Sequence, residues 1–325
     1  MSPGTRSGKL RAYVLCLLAL CGCMAGHAKV WQPSAGHTQI PVWPGTPPDA
    51  LPTPGPEYAL TGHKLIGGRP VTAAFNVSRP TMTVYTPSGK NTGAAVVVFP
   101  GGGFVGLAID LEGTDACNWL TSIGITCVLL KYRVPSAPYD WHCKCRPNDF
   151  ELSLPSLQDA QRTIRLVRMN AAKWHINANK IGVLGFSAGG YLVAEVSTDF
   201  MRRLYTPVDA ADRGSARPDF AVAIYPGHLA INRDLASDND ALNPNVPISR
   251  ETPPTFLVQA EDDYVDGVKQ SLVYYMALAK ARVPAELHIY ARGGHAFGLR
   301  PTNSPITHWP KVADAWLRRI GIIGN

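Results

Sequence analysis

Gly185-Phe186-Ser187-Ala188-Gly189 places a hydroxyl nucleophile midway between two glycines. On a sharp strand-to-helix turn a serine is held in a strained conformation, and side chains two residues to either side would strike neighbouring backbone. In a chain with 30 glycines the pentapeptide alone is a weak signal, and an ordinary packing turn would match it equally well. Its weight comes from its position. An apolar run, Ile181–Phe186, precedes it and a helical pattern opens directly after Ser187. The amides of that helix's first turn would face any negative charge developing at the serine.

A hydroxyl needs a base, and the base needs an acid to orient it. His295 is the candidate base, in the glycine-rich loop Arg292-Gly293-Gly294-His295-Ala296-Phe297-Gly298. His27, His37, His63, His175, His288 and His308 read as surface or core residues, while His142 and His228 lie in loops that could border a site. The acid comes from Glu261-Asp262-Asp263-Tyr264-Val265-Asp266, which follows an apolar run. Asp263 is the first choice, Asp262 the second, then Asp266 and Glu261. Phe99-Pro100-Gly101-Gly102-Gly103-Phe104 supplies the remaining part. Amides of Gly102 and Gly103, with that of Ala188, are placed to form an oxyanion hole. Neither Gly-Lys-Ser/Thr nor Gly-x-Gly-x-x-Gly is present, which argues against a phosphate loop.

These residues need a scaffold. Apolar runs at Met82–Tyr85, Ala94–Phe99, Cys127–Tyr132, Ile181–Phe186, Phe220–Tyr225, Thr255–Gln259 and Glu286–Tyr290 read as strands. Helical patterns lie between them. The clearest runs from Pro155 to Trp174, with Leu157, Ala160, Ile164, Val167 and Ala171 in one stripe and Ser153 as its N-cap. Others follow Ser187, span Val268–Ala281 and span Pro310–Ile320. Alternation of this kind predicts an α/β fold, a mostly parallel twisted sheet with helices on both faces. Residues 29–70 read as an irregular Pro/Gly-rich arm, and residues 71–325 as the catalytic domain. Loops at Tyr132–Pro155, Arg202–Pro218 and Gly227–Pro253 are long enough to cap a site, with Tyr139, Trp141, His142 and Phe150 in the first.

The chain resembles the carboxylesterases of the α/β-hydrolase superfamily, in the feruloyl/acetylxylan-esterase-like and hormone-sensitive-lipase-like group. The matching pieces are Pro100-Gly101-Gly102-Gly103-Phe104, Lys131-Tyr132-Arg133-Val134-Pro135, Asp159-Ala160-Gln161-Arg162, Gly185-Phe186-Ser187-Ala188-Gly189-Gly190, Asp263-x-Val265 and His295-x-Phe297-Gly298. The order serine, acid, histidine is also that superfamily's. The resemblance implies Ser187 as nucleophile, Asp263 as acid, His295 as base, Gly102 and Gly103 as oxyanion glycines, and a structural role for Asp159. Two departures stand out. Pro100 replaces a frequent histidine, and Gln259-Ala260 replaces the usual His-Gly. The implied reaction is ester hydrolysis through an acyl-enzyme, with no cofactor, on a small-molecule or polysaccharide ester such as acetyl or feruloyl xylan. A prolyl-oligopeptidase-type peptidase shares the triad order but ordinarily carries a large extra domain. A lactonase would share every motif, and a non-catalytic binding protein would ordinarily lack a triad member.

Composition narrows the setting. The 325 residues are 46% hydrophobic and 17% charged, a globular balance. The net charge is +7 without a basic cluster, so a nucleic-acid partner is not expected. Arg6, Lys9 and Arg11 account for three of the 31 basic residues, and the first 28 residues hold no acid; without them 28 bases face 24 acids, or +4. Those charges precede the apolar stretch Ala12–Gly22, too short for a stable membrane span, and Gly26-His27-Ala28 offers small residues for cleavage. Residues 1–28 therefore read as a signal peptide of an exported, periplasmic or secreted protein, with a lipid anchor at Cys23 as the alternative. Cys16, Cys21 and Cys23 belong to that segment. The mature chain keeps Cys117, Cys127, Cys143 and Cys145, read as disulfides or buried thiols rather than as a metal site with His142.

Overall fold

The computed structural model describes residues 29–50, 53, 55–134 and 149–324, with residues 149–152 by backbone alone. The leader with Cys16, Cys21 and Cys23, and the loop residues Tyr139, Trp141, His142, Cys143 and Cys145, lie outside them.

In chain order the strands are β1 (Gln39–Pro41), β2 (Tyr58–Ile66), β3 (Arg69–Phe75), β4 (Thr81–Tyr85), β5 (Ala95–Phe99), β6 (Gly106–Leu107), β7 (Thr126–Lys131), β8 (Ile181–Phe186), β9 (Ala221–Ile224), β10 (Thr255–Ala260) and β11 (Ala285–Tyr290). The helices are α1 (Asp115–Ser122), α2 (Asp149–Met169), α3 (Ala188–Thr198), α4 (Lys269–Lys280) and α5 (Trp309–Arg319). A wide π turn, Ile109–Thr114, leads into α1.

Eight strands form the main sheet in the order β1-β4-β7-β5-β8-β9-β10-β11. β1 and β4 join antiparallel, and from β7 to β11 every pairing is parallel. All residues of β5, β7, β8, β9 and β10 are buried. Alternate side chains point to opposite faces, so layers cover both faces, and this is why these strands read as unbroken apolar runs. α2 packs on α3, which in turn packs on β8 and β9. α1 and α5 meet through Trp119 and Trp309, with ring centroids 5.2 Å apart. The fold is the α/β architecture that the sequence predicts, and all seven expected strands appear within one residue of their expected starts and ends.

The structure corrects three expectations. Residues 29–70 are not irregular throughout: β1 extends the main sheet, and β2 with β3 and β6 builds a separate three-stranded antiparallel sheet. Their pairing is long-range or bulged, with a register shift between Thr61 and Leu65, so no clean period of two marks them. Ser153 is not an N-cap. α2 begins before it, and its hydroxyl donates to Glu195 Oε1 (2.8 Å) from inside the helix. Pro155, which normally marks a first turn, lies in the helix interior, and its carbonyl accepts from Arg133 Nη2 (2.9 Å). The loop Arg202–Pro218 is also not a cap. It connects the C-terminal end of α3 to the N-terminal end of β9, at the end of the parallel strands opposite Ser187, and is bonded to α2 through Gln161 and Arg165.

Cys117 and Cys127 form a disulfide that ties α1 to β7. Among the described residues no helix is long and apolar enough to cross a membrane.

Candidate active site

Ser187 stands between β8 and α3 with a left-handed backbone (φ +51°). The turn is tight enough to dictate its flanks. A Cβ on Gly185 would lie 2.1 Å from the Gly189 carbonyl oxygen, and one on Gly189 would lie 2.1 Å from the Phe99 carbonyl oxygen. Such contacts are sterically impossible, so the strained serine requires glycine on both sides.

His295 Nε2 is 2.9 Å from Ser187 Oγ, and His295 Nδ1 is 2.8 Å from Asp263 Oδ2. Three residues from β8, the turn after β10 and the loop after β11 thus meet at the same end of parallel strands. Asp263 is fixed in turn. Its Oδ1 accepts from the Val265 and Asp266 amides (both 2.9 Å), and its Oδ2 accepts from Gln259 Nε2 (3.0 Å). Gln259, one of the two departures from the family pattern, is therefore a clamp: Nε2 also donates to the Asp266 carbonyl (2.7 Å), while Oε1 accepts from Ser271 Oγ (3.0 Å).

The crowded carboxylates separate by position. Asp262 Oδ1 accepts from the Gly293 and Gly294 amides (2.8 and 2.7 Å), so it anchors the loop that carries the histidine rather than the imidazole itself. Asp266 is buried, with Oδ2 accepting from Ser187 Oγ at 3.4 Å and lying 4.0 Å from His295 Nε2. Glu261 is exposed.

Burial by itself would lower the imidazole's affinity for a proton. The hydrogen bond and charge of Asp263, with the charges of Asp266 and Glu112, outweigh it and hold His295 above its ordinary 6.5.

Above the serine, Gly102 and Gly103 turn through left-handed φ values of +139° and +64°. Among the described residues their amides donate to no protein acceptor, whereas the Gly101 and Gly102 carbonyls are used to close the loop on Ala108, Val105 and Gly106. Ala188 opens α3, so its amide too lies outside the helical bonding pattern. Phe104 (φ +59°) packs the loop against Tyr132, Tyr191 and His228. His228 thus borders the site, and the loop from Gly227 to Pro253, which begins at the same end of the parallel strands as Ser187, also brings Arg233 to 3.9 Å from Asp266. Pro100, in the position of the family's frequent histidine, has its carbonyl bonded by the Tyr132 hydroxyl.

The sequence did not expose Glu112 or Tyr225. Glu112 is buried within the π turn, and Tyr225 lies beyond the end of β9 with a left-handed backbone (φ +40°). The sequence offers only three acids in alternation with apolar and small residues, Asp110, Glu112 and Asp115, with nothing to single out the middle one.

A buried hydroxyl, a partly buried imidazole and a buried carboxylate in series, beside free amides, can activate an oxygen nucleophile and stabilise an oxyanion. Comparison with known proteins agrees with this class. Residues 96–299 match the family model described as alpha/beta hydrolase fold, and the chain belongs to that family. It is 28% identical over 259 residues to an acetylxylan esterase from Xylanibacter ruminicola, covering 74% of this chain and 47% of that protein. It is 27% identical over 241 residues to endo-1,4-beta-xylanase B from Butyrivibrio fibrisolvens, covering 69% of this chain and 35% of that protein. The chain therefore spans about half, or less, of the length of these curated relatives. Among solved structures, an acetyl ester-xyloside bifunctional hydrolase from Caldicellulosiruptor lactoaceticus superposes with a TM-score of 0.68 at 33% identity, covering 88% of this chain and 97% of that one.

Proposed function

We propose that this chain is a serine carboxylesterase that removes acyl groups, acetyl foremost, from carbohydrate esters of the xylan type. The observation that carries the reading is the hydrogen-bonded series Ser187–His295–Asp263, at 2.9 and 2.8 Å, beside the unused Gly102 and Gly103 amides. Similarity to an acetylxylan esterase and to an acetyl ester-xyloside hydrolase supports the substrate class.

In this reading Ser187 Oγ attacks the ester carbonyl carbon as His295 Nε2 takes its proton. The amides of Gly102, Gly103 and Ala188 receive the oxyanion. The bond from carbon to the alcohol oxygen then breaks, and His295 protonates that oxygen. Water, deprotonated by His295, attacks the acyl-enzyme carbonyl carbon; the bond from that carbon to Ser187 Oγ then breaks and His295 returns the proton to Oγ, which releases the acid and free Ser187. Asp263 holds Nδ1 protonated so that Nε2 faces the serine.

Export completes the proposal: residues 1–28 act as a leader, with lipid attachment at Cys23 as the alternative form. The basic start, the short apolar run and the oxidised Cys117–Cys127 pair support it. N-terminal sequencing of the protein from culture medium or periplasm reads which form exists.

The central test is hydrolysis of p-nitrophenyl acetate and of acetylated xylo-oligosaccharides by the full chain beside Ser187→Ala. Loss of a triad serine is expected to lower kcat by about 10⁴-fold or more. Equal activity in the variant, or no ester hydrolysis by the wild type, would overturn the reading.

A further inference from the structure

Two loops must hold their separation for this site to work: the one that offers the Gly102 and Gly103 amides, and the one that carries His295. One buried acid joins them. Glu112 Oε2 accepts from the Gly101 amide (2.6 Å), and its Oε1 accepts from the Tyr225 hydroxyl (2.9 Å). The same Tyr225 oxygen accepts from the Gly298 amide (3.2 Å), three residues beyond His295. The Tyr225 ring stands edge-on to the His295 imidazole, with centroids 5.0 Å apart, and packs on Phe297 at 4.4 Å. At the far side Trp309 Nε1 donates to the Gly298 carbonyl (2.8 Å).

We propose that Glu112 is a positioning residue of this site: its carboxylate, acting through Tyr225, fixes the amide loop and the histidine loop at one mutual distance. The inference rests on the serine-esterase reading above and adds a residue that never touches substrate.

The hydrogen count fits a carboxylate that is ionised. Gly101 and Tyr225 each give a hydrogen to one oxygen, and Tyr225, having donated, accepts from Gly298. A protonated Glu112 would have to donate to the phenol, whose own hydrogen would then lose its acceptor. Burial nonetheless raises Glu112 above its ordinary 4.5, against the pull of those two donors. A buried carboxylate bonded to one loop of a reaction site directly and to the other through Tyr225 is explained by what it positions.

The experiment uses the full chain, with wild type and Ser187→Ala as references and Glu112→Gln and Tyr225→Phe as variants. Glutamine keeps the volume and can still accept from Gly101, but it leaves the Tyr225 hydrogen without an acceptor. Phenylalanine keeps the ring on His295 and removes only the hydroxyl. Each single variant is expected to lower kcat on p-nitrophenyl acetate about tenfold, less than deletion of an oxyanion donor. KM should stay within about twofold, as expected for a residue that does not touch substrate. Binding of phenylboronic acid, whose boron takes the Ser187 oxygen to give a tetrahedral anion, should weaken by the same factor as kcat. The double variant should lose no more than the larger single loss, because both act through one hydrogen bond. Unchanged kcat in both variants would overturn the proposal. So would a loss accounted for by fewer titratable sites turning over at the normal rate. If the wild type shows no Ser187-dependent hydrolysis, the esterase reading falls and this inference falls with it.

Discussion

Two carboxylates, on different sides, face the imidazole of His295. Asp263 holds Nδ1, and Asp266 lies 4.0 Å from Nε2 while also accepting from Ser187 Oγ. Both favour the imidazolium, as does the more distant Glu112, and together they lift His295 above 6.5. A general base works only when neutral, so activity should rise with pH through a value higher than that of a free histidine. Removing one of the supporting charges must move that limb down. Asp266→Asn is therefore expected to shift the acidic limb of kcat/KM to lower pH, read from a pH–rate profile on p-nitrophenyl acetate. A limb that stays in place would show that Asp266 does not act on the imidazole. At this scale the sequence was partly legible. Ser187 and His295 stand in glycine-rich settings that few structural residues need. The choice among Glu261, Asp262, Asp263 and Asp266 was ordered but open, because four acids within six positions look alike until the turn aims each one differently. Glu112 was hidden, since its partners Gly101 and Tyr225 are 11 and 113 residues away.

At the scale of elements, burial on both faces made the central strands easy to read. β5, β7, β8, β9 and β10 need apolar side chains at every position, so they appear as short runs without alternation. The arm was illegible for the opposite reason. β1 has three residues and gains its stability from β4, while β2 bulges against β3, so neither prints a period. The cysteine pairing was also closed to sequence, because four candidates in the mature chain allow three connectivities. The structure joins the two that bracket the turn from α1 to β7. Closing a loop over a sequence separation of 10 stabilises by about 2–3 kcal/mol in the chain-entropy account. Reduction is thus expected to lower the guanidinium unfolding free energy by that amount while leaving the folded enzyme active. A reduced protein of unchanged stability would show that packing around the buried Cys117 and Cys127 suffices to hold α1 against the sheet.

Over the whole molecule, the arm is a component of the core rather than a cover draped on it. Trp43 is buried and donates through Nε1 to Asp159 Oδ1 (2.7 Å). Asp159, whose acid burial raises against the pull of Arg133, also accepts from the Arg133 backbone amide (2.9 Å) and from Arg133 Nε (3.0 Å). One buried carboxylate therefore gathers the arm, the segment after β7 and helix α2. Arg133 and Arg162 lie 5.9 and 5.7 Å from the Trp43 ring, Tyr205 meets it edge-on at 4.7 Å, and Arg162 Nε donates to the Val42 carbonyl. This explains why Asp159 resembles a family position without touching the reacting groups: it is a junction that sets where α2 lies beneath the helix following Ser187. The sequence showed the aspartate and the family's arginine motif but not the tryptophan that completes them, since Trp43 reaches Asp159 across 116 residues. Trp43→Ala should therefore behave as a core truncation and cost about 3–5 kcal/mol, read from the urea midpoint. Asp159 keeps its Arg133 donors in that variant, so the loss measures the packing of the arm and a single hydrogen bond. Because Trp43 makes no contact with Ser187, His295 or Asp263, turnover per titrated site should survive at temperatures where the variant is folded. A cost below about 0.5 kcal/mol, the range of surface changes, would instead make the arm a dispensable wrapping.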